Sequence, residues 1–237
     1  MRKMFTMEEE ERIAKALAYA TTALNGQRRL NKSRELKINH AIEVATLVRD
    51  AGGSAIEVSA GYLHDVVEDT SRTLADIVHG FGQEIGNIVD GLTDPPSFIG
   101  LPTFERKKKQ AERIRDKSRS VKMVKIGDQD SNLRSVAEDP PEGWSTRKCL
   151  EYIEGAGLIV DSCMGACHDL EFQFFESYRK AFSKYGLYHG MTHLGVLCGF
   201  TDAEPSKWPL GHKPVLAGQT SLMNCPECKK IALTVQF

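Results

Sequence analysis

Apolar residues recur every three or four positions over most of the first 185 residues of the chain. This period is typical of helices that bury one face against a core. It predicts helices at about 8–24, 38–50, 54–70, 73–79, 84–92, 104–115, 120–136 and 146–183. No alternation typical of strands occurs before residue 190. We therefore predict an all-α helical bundle over residues 1–185.

Short local signals mark several of these helix boundaries. Asn25-Gly26 is a typical helix C-cap. Ser54 and Glu57 have the spacing of a capping box, in which each side chain bonds the other residue's backbone N–H at the start of a helix. The dipeptide Pro95-Pro96 ends the helix before it, because proline cannot continue the hydrogen-bond pattern.

The composition is that of an ordinary globular protein. The 237 residues are 41% hydrophobic and 27% charged, with a net charge of −1. No apolar run approaches the roughly 20 residues that span a bilayer, and the first residues lack the apolar core of a signal peptide. We expect a cytoplasmic protein with no membrane partner. In that setting the six cysteines would bind metal or stay as free thiols rather than form disulfides.

The predicted helix at 54–70 carries a group of polar residues within an apolar run. At helical spacing His64 lies over Glu68, and Asp65 lies over Asp69. Burying acids and an imidazole is costly unless something pairs with them, and a divalent cation would do so. A surface helix with a few charges would be the simpler interpretation if the His-Asp pair stood alone.

Two further residues favour the metal site. His40 lies near the start of the predicted helix at 38–50, and Asp128 lies within the one at 120–136. With His64 and Asp65 they supply two imidazoles and two carboxylates. This mixture suits Mn²⁺, Fe²⁺ or Zn²⁺ better than a thiolate site would. Such an ion makes its bound water a nucleophile near neutral pH.

The order of these ligands resembles the HD phosphohydrolase superfamily. A longer match resembles the hydrolase domain of the RelA/SpoT family, particularly the stand-alone small alarmone hydrolases. The segments that carry this second resemblance are 63–70, 81–82, 89–93, 105–110, 124–128 and 132–134. The resemblance covers about residues 5–183 and implies an all-α HD-domain fold for the predicted bundle.

The resemblance also implies a reaction. The family cleaves the 3′-pyrophosphate from guanosine tetra- or pentaphosphate, giving GDP or GTP and pyrophosphate, with one Mn²⁺ per active site. By motif, the metal ligands would be His40, His64, Asp65 and Asp128. Glu68 and Asp69 would orient or deprotonate the attacking water and serve the proton transfers.

A guanine-nucleotide pocket beside the metal is implied in the same way. Arg29 matches an arginine that packs on the guanine ring, for which a planar guanidinium is suited. Asn132, one turn beyond Asp128, would bind sugar or phosphate. Tyr152 would line the nucleotide site.

A basic run spans residues 106–125. It has three interpretations: a solvated helix face, steering of a highly anionic substrate, or nucleic-acid binding. Nucleic acid is disfavoured because no aromatic residue lies between Phe104 and Trp144. Under the second interpretation, Arg106 and Lys107 are the candidates for phosphate contact.

From residue 190 the pattern changes, and we predict a small second module at 190–237. The candidate zinc ligands are His193, Cys198, Cys225 and Cys228. His193 is favoured over His212 because the order of ligands then resembles small zinc-ribbon-like modules. We expect a small β appendage that is stabilised by Zn²⁺, because so small a module buries little hydrophobic surface. For a lone Cys-x-x-Cys pair, redox chemistry or free thiols would be the better interpretation.

Three functional hypotheses follow. The leading one is a metal-dependent hydrolase of the guanosine 3′,5′-bis(diphosphate) alarmone. The second is an antitoxin or regulatory binder that neutralises an alarmone synthetase, through turnover or through contact by the tail. The third is an HD hydrolase of another nucleotide, such as a nicotinamide dinucleotide phosphatase. The sequence leaves open the oligomeric state and the choice between tetra- and pentaphosphate.

Overall fold

The computed structural model describes residues 4–192, 195–196 and 212–216. The helices in this part are α1 (Met7–Ala23), α2 (Lys37–Asp50), α3 (Ala55–Leu63), α4 (Val66–Asp69), α5 (Leu74–Phe81), α6 (Gln83–Leu92), α7 (Thr103–Ile114), α8 (Arg119–Glu138), α9 (Thr146–Asp161) and α10 (His168–Tyr185). The strands are β1 (Leu187–Thr192), β2 (Gly195–Val196) and β3 (His212–Leu216). The prediction of an all-α domain is confirmed for the described residues up to 185.

The capping box predicted at the start of the central helix is present. The backbone N–H of Ser54 donates to the Glu57 carboxylate at 2.7 Å, and the N–H of Glu57 donates to the Ser54 hydroxyl at 3.2 Å. Two of the helix's free backbone donors are thereby satisfied, so α3 begins at a fixed residue. This fixed start sets the register of the residues at the far end of α3.

The predicted helix at 54–70 is wrong as a continuous element, because it divides between Leu63 and Val66. His64 and Asp65 lie at this break. In an unbroken helix the carbonyl of Gly61 would accept from the N–H of Asp65. Here it accepts a hydrogen bond from Nδ1 of the His64 ring at 2.8 Å. The side chain thus competes for a backbone acceptor where the helix ends. Both polar residues therefore lie at the junction between α3 and α4.

The predicted helical stretch at 146–183 is also divided. Helices α9 and α10 are separated by a turn at 162–167, and Gly165 within it has a φ of +85°. That conformation is readily adopted only by glycine. The turn allows both helices to pack on α8.

Helix α8 lies at the centre of the bundle and contacts α2, α3, α6, α9 and α10. Twelve of its 20 residues are buried, and they include Asp128 and Ser131. A helix buried around most of its circumference has to satisfy its polar side chains inside the protein. Because α2 carries His40 and His64 directly follows α3, the contacts of α8 with these helices bring three segments to one place.

Beyond α10 the described strands form a three-stranded sheet in the order β2-β1-β3. Strand β1 pairs antiparallel with β2 and parallel with β3, with Leu187 opposite His212. The predicted zinc ligands His193, Cys198, Cys225 and Cys228 lie outside the described residues, so the zinc-ribbon-like module and its boundary stay predictions. In the helices that the structure describes, none combines the length and the apolar character needed to cross a bilayer.

The close approach of α3 to α2 gives a testable prediction. A Cβ added at Gly61 would lie 2.9 Å from Cα of Ala45, so the two helices would have to move apart. We expect Gly61→Ala to lower the free energy of unfolding by about 1–3 kcal/mol, measured by urea denaturation.

The matched control is Gly80→Ala on α5, where an added Cβ meets nothing within 4 Å. It should leave the free energy of unfolding unchanged or raise it by about 0.4–1 kcal/mol. Equal stability of the two variants would contradict the inferred close packing of α2 and α3.

Candidate metal centre and adjoining cavity

The four residues predicted as metal ligands converge from α2, from the α3–α4 junction and from α8. Nε2 of His40 lies 3.2 Å from Nε2 of His64 and 3.3 Å from Oδ1 of Asp128. Nε2 of His64 lies 3.2 Å from Oδ1 of Asp65. The donor atoms of His40, His64 and Asp65 all lie within 4.8 Å of one another. The sequence motif therefore corresponds to a single cluster in space.

The hydrogen bond of His64 determines which ring nitrogen faces the cluster. Since the Gly61 carbonyl can only accept, Nδ1 of His64 carries the hydrogen. In the neutral ring Nε2 then has a free lone pair, and it points at Nε2 of His40 and at two carboxylates. A cluster of acceptors needs a proton or a cation at its centre. The donor set fits a divalent ion of the Mn²⁺, Fe²⁺ or Zn²⁺ type.

Asp128 is held by hydrogen bonds on both carboxylate oxygens. Oδ2 accepts from Lys125 Nζ at 3.0 Å and from Gln129 Nε2 at 2.9 Å. Oδ1 accepts from Asn132 Nδ2 at 2.6 Å and faces the histidines. Burial alone would raise the pKa of Asp128, but the ammonium group of Lys125 and the contact with His40 hold it well below its ordinary value. Asp128 is therefore an ionised, oriented ligand candidate.

The pKa values of the two histidines are shifted in opposite directions. Burial is the largest influence on the pKa of His40 and lowers it, so the ring is neutral near pH 7. Burial also lowers the pKa of His64, but the charges of Asp65 and Asp128 outweigh it and raise the pKa above its ordinary value. A cation that binds here consequently competes with a proton on His64.

Glu68 and Asp69, the predicted acids, have different surroundings. Glu68 accepts a hydrogen bond from the backbone N–H of Asp94, whose carboxylate in turn accepts from Gln110 on α7. Desolvation by the surrounding protein raises the pKa of Glu68 to about 7, against the effect of the Asp94 N–H. Asp69 instead forms an ion pair with Lys37. Burial and the nearby Asp65 still raise the pKa of Asp69.

A cavity of about 330 Å³ adjoins the ligand cluster, a size typical of small-molecule sites. His40, Asp65, Glu68 and Asp128 form part of its wall. Among the described residues that line it, those with a positive charge are Arg28, Arg29, Lys37, Arg106, Lys107 and Lys125. The negatively charged ones are Asp65, Glu68, Asp94 and Asp128. The excess of cations favours an anionic ligand.

All five residues predicted to bind substrate line this cavity: Arg29, Asn132, Tyr152, Arg106 and Lys107. Nη2 of Arg29 donates to Oδ1 of Asn132 at 2.9 Å, so the guanidinium is linked to the metal-ligand cluster through Asn132. The role of each residue toward a nucleotide stays a prediction.

Lys107 is a buried cation inside the cavity wall. Its Nζ lies 3.8 Å from the centroid of the Tyr152 ring and donates to Oε1 of Gln129 at 2.7 Å. Burial lowers the pKa of Lys107 to about 7. An anionic group in the cavity would favour the protonated form, so ligand binding and the charge of Lys107 are coupled.

Several residues at the site were missed by sequence analysis. Lys125 precedes Asp128 by one helical turn, a spacing that could have identified it as a partner. Trp144 lines the cavity with its ring 5.5 Å from that of Tyr152. Its position depends on the loop after α8, where Pro141 bridges to Asn31, and no local pattern reveals this contact.

The chain is similar to several known proteins. The family model described as "HD domain" matches residues 16–151. "Guanosine-3′,5′-bis(diphosphate) 3′-pyrophosphohydrolase MESH1" of Xenopus tropicalis is 36% identical over 161 residues, covering 67% of this chain and 88% of the relative. The Homo sapiens protein of the same name is 33% identical over 181 residues, covering 76% and 97%. The solved structure of "A metazoan ortholog of SpoT hydrolyzes ppGpp and plays a role in starvation responses" is similar with a TM-score of 0.67 at 29% identity, covering 75% of this chain and 98% of that one.

The buried charge of Lys107 predicts a pH dependence of stability. Between pH 7 and 10.5 the unfolded chain binds more protons at this residue than the folded protein does. The free energy of unfolding should therefore rise with pH across that window, by up to about 1.4 kcal/mol per pH unit from this group. We expect Lys107→Met to lose this slope and to exceed the parent protein in stability below pH 7, in urea denaturation across the range.

The control is Lys108→Met, in which the replaced ammonium group is exposed and pairs with Glu105. It should keep the slope of the parent protein. If Lys107→Met and the parent protein show the same slope, the buried-cation interpretation is wrong.

Proposed function

Because the chain belongs to the HD-domain family of guanosine-3′,5′-bis(diphosphate) 3′-pyrophosphohydrolases, we propose that it hydrolyses guanosine 3′,5′-bis(diphosphate) and its pentaphosphate analogue. The products would be GDP or GTP and pyrophosphate. The observation that carries this proposal is the convergence of four ligand donors from three segments beside a cavity lined with cations.

We propose that His40, His64, Asp65 and Asp128 hold one Mn²⁺. When bound, this ion would polarise a phosphoryl oxygen and lower the pKa of water, as divalent ions do in phosphohydrolases. The choice of Mn²⁺ over Fe²⁺ or Zn²⁺ is the finer part of the proposal. The donor set accommodates all three ions, and the choice of Mn²⁺ is what the family resemblance implies.

Glu68 is the proposed acceptor for the proton of the attacking water. A general base works best when its pKa lies near the working pH, and the pKa of Glu68 is raised to about 7. Its hydrogen bond from the Asp94 N–H fixes the direction of the carboxylate. Asp69 is the proposed second acid. Asp69 forms an ion pair with Lys37, and Lys37 lines the cavity.

The proposed substrate carries two diphosphate groups, and the cavity supplies matching charge. Arg106 and Lys107 enter it from α7, and Lys125 enters it from α8. Arg29 is proposed to pack on the guanine ring, and the aromatic rings of Trp144 and Tyr152 line the same cavity. A planar guanidinium and aromatic faces are both suited to stacking on a base.

The test measures the release of pyrophosphate and of inorganic phosphate by the purified protein with Mn²⁺ on a panel of guanosine 3′,5′-bis(diphosphate), GTP and NADPH. Release should be fastest from the first compound and should stop with chelator. Glu68→Gln should lower kcat by about 10²–10⁴-fold, while Mn²⁺ affinity, measured by titration calorimetry, stays within a few-fold of the parent protein.

Glu84→Gln, an exposed glutamate in the first turn of α6, is the matched control and should keep full activity. Faster turnover of GTP or NADPH would favour the hypothesis of another nucleotide hydrolase. Asp65→Asn distinguishes the regulatory hypothesis from the hydrolase hypothesis. If this variant neutralises a partner synthetase without hydrolysing the alarmone, binding rather than hydrolysis is the function.

For the predicted second module at 190–237, we propose that a structural Zn²⁺ is held by His193, Cys198, Cys225 and Cys228. The support is the spacing of the thiolates and the small size of the segment. We expect the double variant Cys225→Ser, Cys228→Ser to lose about one zinc per chain in elemental analysis. Cys149→Ala, at a buried thiol of the helical domain, should keep it. Unchanged zinc in the double variant would end this proposal.

A further inference from the structure

The ring of His40 is connected through Nδ1 to a chain of side chains that the proposed reaction does not use. Nδ1 lies 2.8 Å from the hydroxyl oxygen of Ser131, and this hydroxyl donates to Oε2 of Glu43 at 2.6 Å. Ser131 is fully buried on α8, whereas Glu43 lies one turn after His40 on α2. The contact therefore crosses between the two helices that supply His40 and Asp128.

The direction of these hydrogen bonds follows from the chemistry of the groups. A serine hydroxyl has one hydrogen, and a carboxylate can only accept. Because Ser131 donates its hydrogen to Glu43, its oxygen accepts from His40, and Nδ1 of His40 must carry the hydrogen. In the neutral ring Nε2 is then free of hydrogen and faces His64 and Asp128.

Glu43 is itself held from α8. Nη1 of Arg134 lies 3.8 Å from Oε1 of Glu43, and Nη2 donates to Oδ2 of the fully buried Asp130 at 2.7 Å. The side chains of Glu43 and Arg134 are 38% and 40% exposed, so the chain runs from the surface to the buried ring of His40. The hydrogen bond to the buried Asp130 orients Arg134, whose other terminal nitrogen lies near Glu43.

The two histidines are consequently oriented by different means. His64 uses the carbonyl of Gly61 in its own helix, which no side-chain substitution removes. His40 depends on Ser131 and, through it, on Glu43. A substitution at Ser131 should therefore affect one ligand nitrogen and leave the other unchanged.

We propose that Ser131 and Glu43 are positioning residues that present Nε2 of His40 to the divalent ion and increase its affinity. This inference rests on the proposed metal-dependent function. It goes beyond that function by naming two residues that act on the ligand His40 and do not contact the ion themselves. Partners of this kind orient the imidazole ring and make its free nitrogen a stronger ligand.

The test is Mn²⁺ affinity of the full chain after removal of metal, measured from the electron paramagnetic resonance signal of free Mn²⁺. Ser131→Ala should raise the Kd for Mn²⁺ by about 10–100-fold. Ser131→Thr, which keeps the hydroxyl, should restore it to within a few-fold. Glu43→Gln, which keeps an acceptor oxygen but loses the charge, should lie between them.

The matched control is Ser59→Ala. Ser59 on α3 is fully buried like Ser131, but among the described residues its hydroxyl has no hydrogen-bond partner. Its removal should leave the Kd for Mn²⁺ unchanged. Thermal unfolding of the metal-free proteins identifies variants that are folded, and Glu43→Gln at a half-exposed position carries the test if Ser131→Ala does not fold.

A double-mutant cycle separates positioning from a general structural role. In a His40→Ala background, adding Ser131→Ala should change the Kd by less than about twofold, whereas in a His64→Ala background it should still weaken binding about tenfold. If Ser131→Ala and the parent protein bind Mn²⁺ with equal affinity, the proposed positioning role of Ser131 and Glu43 is wrong, while the proposed function is unaffected. If the parent protein itself neither binds Mn²⁺ nor releases pyrophosphate, the proposed function fails instead.

Discussion

The structure depends on the burial of several hydrogen-bond acceptors around one point. Nε2 atoms of His40 and His64 lie 3.2 Å apart, and carboxylate oxygens of Asp65 and Asp128 lie beside them. In a low-dielectric interior this arrangement is unfavourable unless a cation or a proton lies between the acceptors. The fold holds the groups there because each arises from an element fixed elsewhere: α2, the end of α3, and the central helix α8. The energetic cost of burying these acceptors is therefore located at the site where a divalent ion would bind.

The two buried lysines beside this cluster differ in their partners. Lys125 is paired with Asp128 and stabilises the cluster itself, whereas Lys107 is buried against Tyr152 without a carboxylate contact at hydrogen-bond distance among the described residues. The pKa of Lys125 is accordingly raised and that of Lys107 is lowered. Lys125 therefore stabilises the ligand cluster, whereas Lys107 can change its protonation state when an anion binds in the cavity.

Much of the fold was predictable because helical periodicity and capping are local. The capping box at Ser54 needs only four residues, and the cluster at His64 and Asp65 lies within one short motif. The break between α3 and α4 was missed because it arises from a side chain that competes with the backbone. The contact of His40 with Ser131 joins positions 91 residues apart, so it depends on the packing of α2 on α8. Periodicity specifies which face of a helix is buried but not which residues meet across the interface.

The hydrogen bonds around Asp94 have a mechanical consequence. Its N–H holds Glu68 on α4, and its carboxylate is held by Gln110 on α7, the helix that also bears Arg106 and Lys107. The loop after α6 therefore connects Glu68 by hydrogen bonds to the helix that carries two of the basic residues lining the cavity. The orientation of the Glu68 carboxylate therefore depends on the position of the Asp94 backbone, which Gln110 connects to α7.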